Sequence, residues 1–180
     1  GTHAFQLAQF ISQQKVNAVC SDVMSCVEGR LVDDNIHVLM RFDGGARGML
    51  WASQVAPGCE NGLRIRIYGE KASIEWAQES SNELWFTELN KPRQRVTRRG
   101  DIGSDIAARG MRTPGGHPEG YLEAFANLYN DIADILIAHE AGERHYLQDW
   151  VPSIDTGVEG MKFIQAVLDS SQAEGSWKAL

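Results

Sequence analysis

Gly115-Gly116-His117-Pro118-Glu119-Gly120-Tyr121 is the stretch that divides this chain into a strand-rich part and a helical part. Its glycines allow a sharp turn, Pro118 suits the first position of a helix, and Glu119 favours the positive end of a helix. Apolar residues then recur at three- and four-residue steps, which predicts a long helix with one buried stripe. The stripe consists of Tyr121, Leu122, Phe125, Leu128, Tyr129, Ile132, Ile135 and Leu136. His117 therefore lies at a corner between sheet and helix, where a small molecule can reach a polar side chain.

The residues before this corner predict an antiparallel sheet. A first helix runs to about Gln13, and alternating apolar and polar residues then predict strands. The predicted strands cover residues 16–28, 35–42, 46–55, 63–68, 72–76, 84–89 and 93–97. Asp43-Gly44-Gly45 is a strong hairpin signal, and short turns join the later pairs as well. Because strands joined by short turns pair with each other, we expect one largely antiparallel sheet.

The order of helix, strands and two helices predicts an α+β fold. In this fold an open, largely antiparallel sheet carries helices on one face, in a single domain over residues 1–180. The last helix is expected to begin after Ser153 as N-cap. Its predicted apolar stripe consists of Ile154, Val158, Met161, Ile164 and Leu168. The uncovered sheet face needs a partner, and we expect a homo-oligomer to form through it.

Composition excludes several classes of partner. The chain has 180 residues, 43% of them hydrophobic, and a formal net charge of −7, which argues against nucleic acid because a phosphate backbone favours excess Lys and Arg. A basic cluster comprises Lys91, Arg93, Arg95, Arg98 and Arg99; it is interpreted as the solvated side of an edge strand. The sequence contains no apolar run of membrane-spanning length, and its three cysteines lack metal-ligand spacing. We therefore expect a cytoplasmic protein with no membrane, nucleic-acid or metal site.

Residues 100–116 show no clear periodicity and are predicted to form a long loop, a class of segment that is often functional. Arg109 and Arg112 in this loop are candidates for contacts with sugar hydroxyls or a carboxylate, against the alternative of solvated charges. For His117 a structural role and a substrate contact stand equally open. The alternatives for Glu119 and Tyr121 are a first-turn acid and a core aromatic.

Five motifs together carry a family resemblance. They are Gly1-Thr2-His3-Ala4-Phe5, the segment from Phe42 to Gly48, the hairpin from Tyr68 to Trp76, the corner at His117-Pro118-Glu119-Gly120-Tyr121, and Asp155-Thr156-Gly157 in the last helix. In this order they resemble the C-terminal domain of the Gfo/Idh/MocA oxidoreductases, which include glucose–fructose oxidoreductase and inositol dehydrogenase. The resemblance runs over nearly the whole chain.

The resemblance implies a two-domain enzyme. In the family an N-terminal Rossmann domain binds NAD or NADP, and the C-terminal domain supplies much of the substrate pocket. No strand followed by G-x-G-x-x-G occurs in this sequence, so we expect the chain alone to bind no cofactor and to be inactive. The chain also opens within a helix and without an initiator Met, which leads us to expect further sequence upstream.

The resemblance also implies site residues. His3 matches the family's catalytic histidine, which commonly follows an aspartate on an Asp-x-x-x-His pattern; that aspartate would precede Gly1. Its imidazole is expected to act as general acid/base while hydride passes from a CH–OH group of a sugar, sugar derivative or cyclitol to nicotinamide. His117, Tyr121, Arg109 and Arg112 are expected to help bind this polyol. The alternatives are a domain of an NAD-dependent glycoside hydrolase and a non-catalytic assembly domain.

Overall fold

The computed structural model describes residues 1–98 and 105–180. The helices are α1 (Thr2–Ser12), α2 (Asp105–Arg109), α3 (Tyr121–Glu140) and α4 (Ile154–Gln172), with 3-10 helices at Gln78–Ser80 and Tyr146–Asp149. The strands are β1 (Val16–Met24), β2 (Asn35–Phe42), β3 (Arg47–Ser53), β4 (Arg64–Tyr68), β5 (Ala72–Ala77), β6 (Glu83–Glu88), β7 (Gln94–Thr97) and β8 (Lys178–Ala179). The predicted α+β class is confirmed.

The chain divides into two compact units. The first comprises Gly1–Ile65 and Ile154–Leu180, and the second comprises Arg66–Ser153. The strands form two four-stranded sheets, with the orders β3-β2-β1-β8 and β4-β5-β6-β7. The predicted hairpins are present, but the expected single sheet is replaced by two. Strand pairing inferred from short turns does not extend across residues 54–63, which separate β3 from β4.

The core of the first unit lies between one face of the first sheet and helices α1 and α4. Val19 and Val38 face inward from neighbouring strands, and Phe5 of α1 stacks on Phe163 of α4 with ring centroids 4.2 Å apart. These four side chains are between 0% and 2% exposed. The predicted packing of helices on one sheet face is confirmed for this sheet.

Strand register explains how the core residues come together. The antiparallel pairing of β1 with β2 is irregular between Val16 and Ala18. This bulge lets Val16 and Val19 share the buried side although their sequence spacing is odd. In the β2–β3 hairpin, Gly45 adopts a φ of 89° and donates its N–H to the Phe42 carbonyl at 3.0 Å. That positive φ favours glycine, as the hairpin signal in the sequence predicts.

Helix α4 presents a different face to the core from the one predicted. Ile154 and Met161 are 84% and 65% exposed, whereas Phe163 and Ser170 are 1% and 0% exposed. The Ser170 hydroxyl accepts a hydrogen bond from the Ser21 backbone N–H at 2.9 Å. A small hydroxyl allows the helix to approach β1 closely and supplies a hydrogen bond there. The predicted apolar stripe on this helix is therefore wrong.

Helix α3 has the predicted period but not the predicted burial. None of its residues is buried, and Leu122, Tyr129 and Leu136 are 76%, 69% and 57% exposed within this chain. The periodicity indicates an amphipathic helix but not the surface that covers it. The helix also begins at Tyr121, with Gly120 as N-cap, and not at Pro118.

Other boundaries differ from the prediction in smaller ways. β1 ends at Met24, four residues before the predicted end at Glu28. The predicted loop at residues 100–116 contains the short helix α2, and residues 99–104, including Arg99 of the basic cluster, lie outside the described ranges. The short strand β8 pairs with β1 and was not predicted. A two-residue strand is too short to show an alternating pattern.

Candidate functional site

His3 lies in the first turn of α1, in the first unit. Its side chain is exposed, and the helix begins with a hydrogen bond from the Phe5 N–H to the Gly1 carbonyl at 3.0 Å. The stacking of Phe5 on Phe163 fixes α1 against α4 two residues after His3. An imidazole in this place is accessible to a small molecule, while the helix that carries it is anchored in the core.

The corner around His117 lies in the second unit. Gly116 adopts a φ of 89°, a conformation that glycine allows at little cost. The His117 N–H then donates to the Pro114 carbonyl at 3.1 Å, which closes a tight turn. The imidazole itself is exposed, with Nδ1 3.3 Å from the same carbonyl. His117 therefore combines a fixed backbone with an accessible ring.

The side chain of Glu119 anchors this corner and is largely removed from solvent. Its side chain is 9% exposed, and its Oε1 lies 2.7 Å from Nη1 of Arg98, whose side chain is 16% exposed. The same carboxylate oxygen accepts the Arg112 N–H at 2.6 Å, the Thr113 hydroxyl at 2.9 Å, and the Thr113 N–H. The prediction that Glu119 serves as a first-turn acid is therefore wrong, because the helix begins later and the carboxylate turns back onto the preceding loop.

The Arg98 guanidinium also reaches His117. Its Nη2 donates to the His117 carbonyl and to the Thr113 hydroxyl, the latter at 3.2 Å. The Thr113 hydroxyl lies 3.0 Å from the His117 carbonyl and shares its single proton between this carbonyl and the Glu119 carboxylate. The interpretation of the whole basic cluster as solvated charge is wrong for Arg98. It remains suitable for Arg93 and Arg95, which form exposed ion pairs with Glu75 of β5 and Glu83 of β6.

The backbone of Glu119 is held as firmly as its side chain. Asn82 accepts the Glu119 N–H at 2.9 Å and donates its amide to the Glu119 carbonyl at 2.8 Å. The Ser81 hydroxyl donates to the same carbonyl at 3.2 Å. The Asn82 side chain thus hydrogen-bonds both the N–H and the carbonyl of Glu119, as the backbone of a neighbouring strand would.

The electrostatics of Glu119 follow from these contacts. Burial by itself would raise the pKa of the Glu119 carboxyl. Hydrogen bonds from the backbone N–H and hydroxyl of Thr113, from Arg98 and from the Arg112 N–H outweigh burial and lower this pKa to about 2. Glu119 is therefore a fixed anion, and a proton-transfer role at neutral pH is poorly suited to it.

Arg109 and Arg112 contact α3. Arg109 forms ion pairs with Asp131 and Asp134 at 2.8 Å and 2.5 Å, and these hydrogen bonds raise the pKa of the guanidinium. Arg112 donates Nε to Asn127. Together they line an open cleft of about 290 Å³ between the loop and α3, with Asn130 and Ala133 among the other lining residues.

Tyr121 begins α3 and is 70% exposed, with its ring centroid 4.7 Å from that of Phe125. The expectation of a core aromatic is therefore wrong within this chain. Glu123 caps the helix by accepting the Gly120 N–H at 2.9 Å, and this hydrogen bond lowers the pKa of the Glu123 carboxyl. The hydroxyphenyl ring of Tyr121 lies four residues after His117 on the same short segment.

The structure thus brings Arg112, His117 and Tyr121 together on one segment of the second unit, while His3 belongs to the first unit. The residues that sequence reasoning missed are Arg98 and Asn82. Nothing in their local sequence marks them, because both act on a backbone segment far along the chain. A hydrogen-bonding role for such residues becomes visible only in three dimensions.

Metal and cofactor sites can be tested against the described residues. Across residues 1–98 and 105–180, no group of three His, Cys, Asp or Glu side chains is arranged to hold a metal ion. None of the helices in those ranges has the length and apolar character needed to cross a membrane. Both sheets are antiparallel at the strand pairs β1–β2, β2–β3, β5–β6 and β6–β7. A dinucleotide crevice is commonly built at the carboxyl ends of parallel strands, an arrangement that these four strand pairs do not have.

Comparison with known proteins gives a consistent match. Residues 1–179 match a family described as "Oxidoreductase family, C-terminal alpha/beta domain". An uncharacterized oxidoreductase, YfiI of Bacillus subtilis (strain 168), is 35% identical over 179 residues, which are 98% of this chain and 46% of that protein. The chain therefore spans less than half the length of this curated relative.

Solved structures agree in fold. An oxidoreductase from Sinorhizobium meliloti is 47% identical with a TM-score of 0.90, over 99% of this chain and 51% of that one. An inositol dehydrogenase homolog from Azotobacter vinelandii, complexed with NADH and myo-inositol, is 32% identical with a TM-score of 0.89, over 100% of this chain and 48% of that one. In each case the match covers about half of the solved chain.

Proposed function

The chain belongs to the oxidoreductase family with this C-terminal α/β domain, and we propose that it is the substrate-side part of an NAD(P)-dependent dehydrogenase. The proposed substrate class is a sugar, a sugar derivative or a cyclitol. NAD or NADP, bound by another part of the complete protein, would supply the hydride acceptor. The chain by itself is expected to be inactive.

The observation that carries this proposal is the match along the entire chain to a protein whose structure contains NADH and myo-inositol, at 32% identity. A polyol presents several hydroxyl groups in a small volume, so it suits a site built from hydrogen-bonding side chains on a fixed backbone. The exposed imidazole of His117 and the guanidinium of Arg112 offer such groups.

We assign the acid/base role to His3. An imidazole can take the proton from a substrate hydroxyl near neutral pH and return it in the reverse direction. The matching Gly-Thr-His setting and the anchored, accessible place of His3 in α1 support this assignment.

The polyol contacts are assigned to His117, Tyr121, Arg112 and Arg109. The first three present exposed polar groups on one segment. Arg109 uses Nε and Nη2 for Asp131 and Asp134, and we propose a substrate contact for its guanidinium because it lines the cleft beside α3. The test of the proposal is polyol-dependent reduction of NAD(P)⁺ by the complete protein, with His3→Ala as the decisive variant.

A second property is proposed for the open face of the first sheet, namely self-association of this chain. Leu39 and Met49 are cross-strand partners on this face and are 52% and 80% exposed. Trp51, one pair further along, is 57% exposed and stacks parallel to His37. Such apolar area on a flat sheet favours a partner surface.

Charge also supports a second copy as the partner. On one side of the Leu39 row lies Asp22, which pairs with His37, and on the other side lie Arg41 and Arg47. A two-fold axis through the apolar row would place the acidic side of one copy opposite the basic side of the other. The face is therefore self-complementary.

A further inference from the structure

We propose that Arg98 and Asn82 are positioning residues that hold the His117 corner, through Glu119, in the conformation that receives a polyol. This inference rests on the proposed function, because it assumes that His117 and Arg112 contact the substrate. It adds two residues that touch no substrate and lie outside the segment that does.

Arg98 links two points of the corner. One guanidinium nitrogen pairs with the Glu119 carboxylate at 2.7 Å, and the other donates to the His117 carbonyl. Arg can do this because its planar guanidinium spreads its charge over several nitrogens, so that one lies in ion-pair contact with Glu119 while another donates to His117. A Lys ammonium is a point charge on a flexible stem. Replacement by Lys would therefore retain the ion pair but lose the second tie.

Asn82 holds the backbone of Glu119 at the same corner. Its side-chain amide satisfies both the N–H and the carbonyl of Glu119. Asp at this position could accept the N–H but could not donate to the carbonyl, and it would add a negative charge near the Glu119 carboxylate. The Asn is thus the residue type that this backbone contact requires.

The backbone of His117 is held by hydrogen bonds, whereas its ring is exposed. The N–H is bound to Pro114, the carbonyl is bound by Arg98 and Thr113, and the imidazole is left exposed. A ligand that binds a pre-ordered side chain loses less conformational entropy than one that must order it. A clamp that fixes the backbone and leaves the ring accessible therefore favours binding of the substrate.

The first experiment is amide hydrogen exchange on this chain, which does not depend on any activity. Arg98→Gln and Asn82→Asp are expected to increase exchange at the Arg112 and Thr113 amides roughly tenfold or more, since buried hydrogen bonds to charged groups are lost. Arg95→Gln is the matched control, because it removes the same charge from an exposed pair on β7, three residues before Arg98. Exchange equal to that of the parent chain in both variants would overturn the clamp.

The second experiment is kinetic and uses the complete protein. Arg98→Lys is expected to keep the unfolding temperature near that of the parent protein and to raise the KM for the polyol roughly tenfold or more, with kcat and the KM for NAD(P)⁺ nearly unchanged. A merely structural role would instead change stability without this selective change in KM. An unchanged polyol KM despite faster exchange would overturn the positioning role. If the complete protein turned over no polyol at all, the proposed function would fail, while the exchange experiment would still decide on the clamp.

Discussion

At the scale of single residues, Glu119 shows which hydrogen bonds replace hydration when a carboxylate is removed from solvent. Its side chain is 9% exposed, and the donors that replace water come from Arg98, Thr113 and the Arg112 backbone. A buried ion pair of this kind contributes little on balance, yet loss of one partner is costly because the other charge stays buried. Both members should therefore be sensitive to substitution.

The lowered pKa of Glu119 leads to a prediction about acid stability. The carboxyl has a pKa of about 2 in the folded chain against an ordinary value of 4.5, so the unfolded state binds more protons between these values. The stabilisation is complete above about pH 4.5 and is lost as the pH falls toward about 2. In Glu119→Gln, the free energy of unfolding from urea titrations should therefore depend less steeply on pH in this window.

The control for this prediction is Glu75→Gln, which removes a carboxylate from an exposed pair with Arg93. Exposed ion pairs contribute little, so its pH dependence should stay close to that of the parent chain. The same pH dependence in Glu119→Gln as in the parent would contradict the account of this carboxylate.

The sequence alone points to some residues of this candidate site and not to others. His3 and the His117 corner stand out through their local motifs. Arg98 does not, because it follows Arg93 and Arg95 in a basic run in which each residue has the same local features. Only folding separates them, by leaving two on the surface and turning the third toward Glu119.

At the scale of elements, α4 shows how burial selects among faces of one helix. Most of its larger aliphatic residues are exposed, while Phe163 and the small Ser170 are buried in the core. The periodicity of apolar residues predicted this helix and approximately its limits. It wrongly assigned the buried face to the side that carries most of the large aliphatic residues. Close packing against a sheet instead favours small residues beside one large ring.

This interpretation predicts an unequal effect of two substitutions on the same helix. Phe163→Ala should lower the free energy of unfolding by about 3–5 kcal/mol, because it empties the core beside Phe5. Met161→Ala, at a position that is 65% exposed, should change it by less than about 1 kcal/mol. Chemical denaturation of the three proteins measures both values. Equal losses would show that the buried face of α4 has been wrongly assigned.

At the scale of the whole molecule, the exposed apolar surface is the main unexplained feature of the chain taken alone. Leu39, Met49 and Trp51 of the first sheet and most of the stripe of α3 are exposed. Antiparallel sheets commonly leave one face open, and α+β class was predictable from strand and helix order. What covers the open surfaces was not, because the periodicity of apolar residues indicates an apolar face but not the surface that packs against it.

Self-association through the first sheet gives a prediction at this scale. Met49→Glu should raise the dissociation constant of the oligomer about tenfold or more, since it places like charges against each other across a two-fold axis. Sedimentation velocity over a concentration series measures this change. Met161→Glu, on α4 and away from the sheet, is the control. A parent chain that stays monomeric at high concentration would contradict the proposal.

The central claim is that this chain provides the polyol-binding side and the acid/base histidine of a dehydrogenase. The most direct test is the rate of NAD(P)⁺ reduction by the complete protein with myo-inositol and a panel of sugars. It compares the parent protein with His3→Ala and with His139→Ala, a control at the exposed end of α3. We predict polyol-dependent reduction that falls about a hundredfold or more in His3→Ala alone, because a positioned general base contributes at least that much. Turnover near that of the parent protein in His3→Ala, or no reduction with any polyol, would contradict the account.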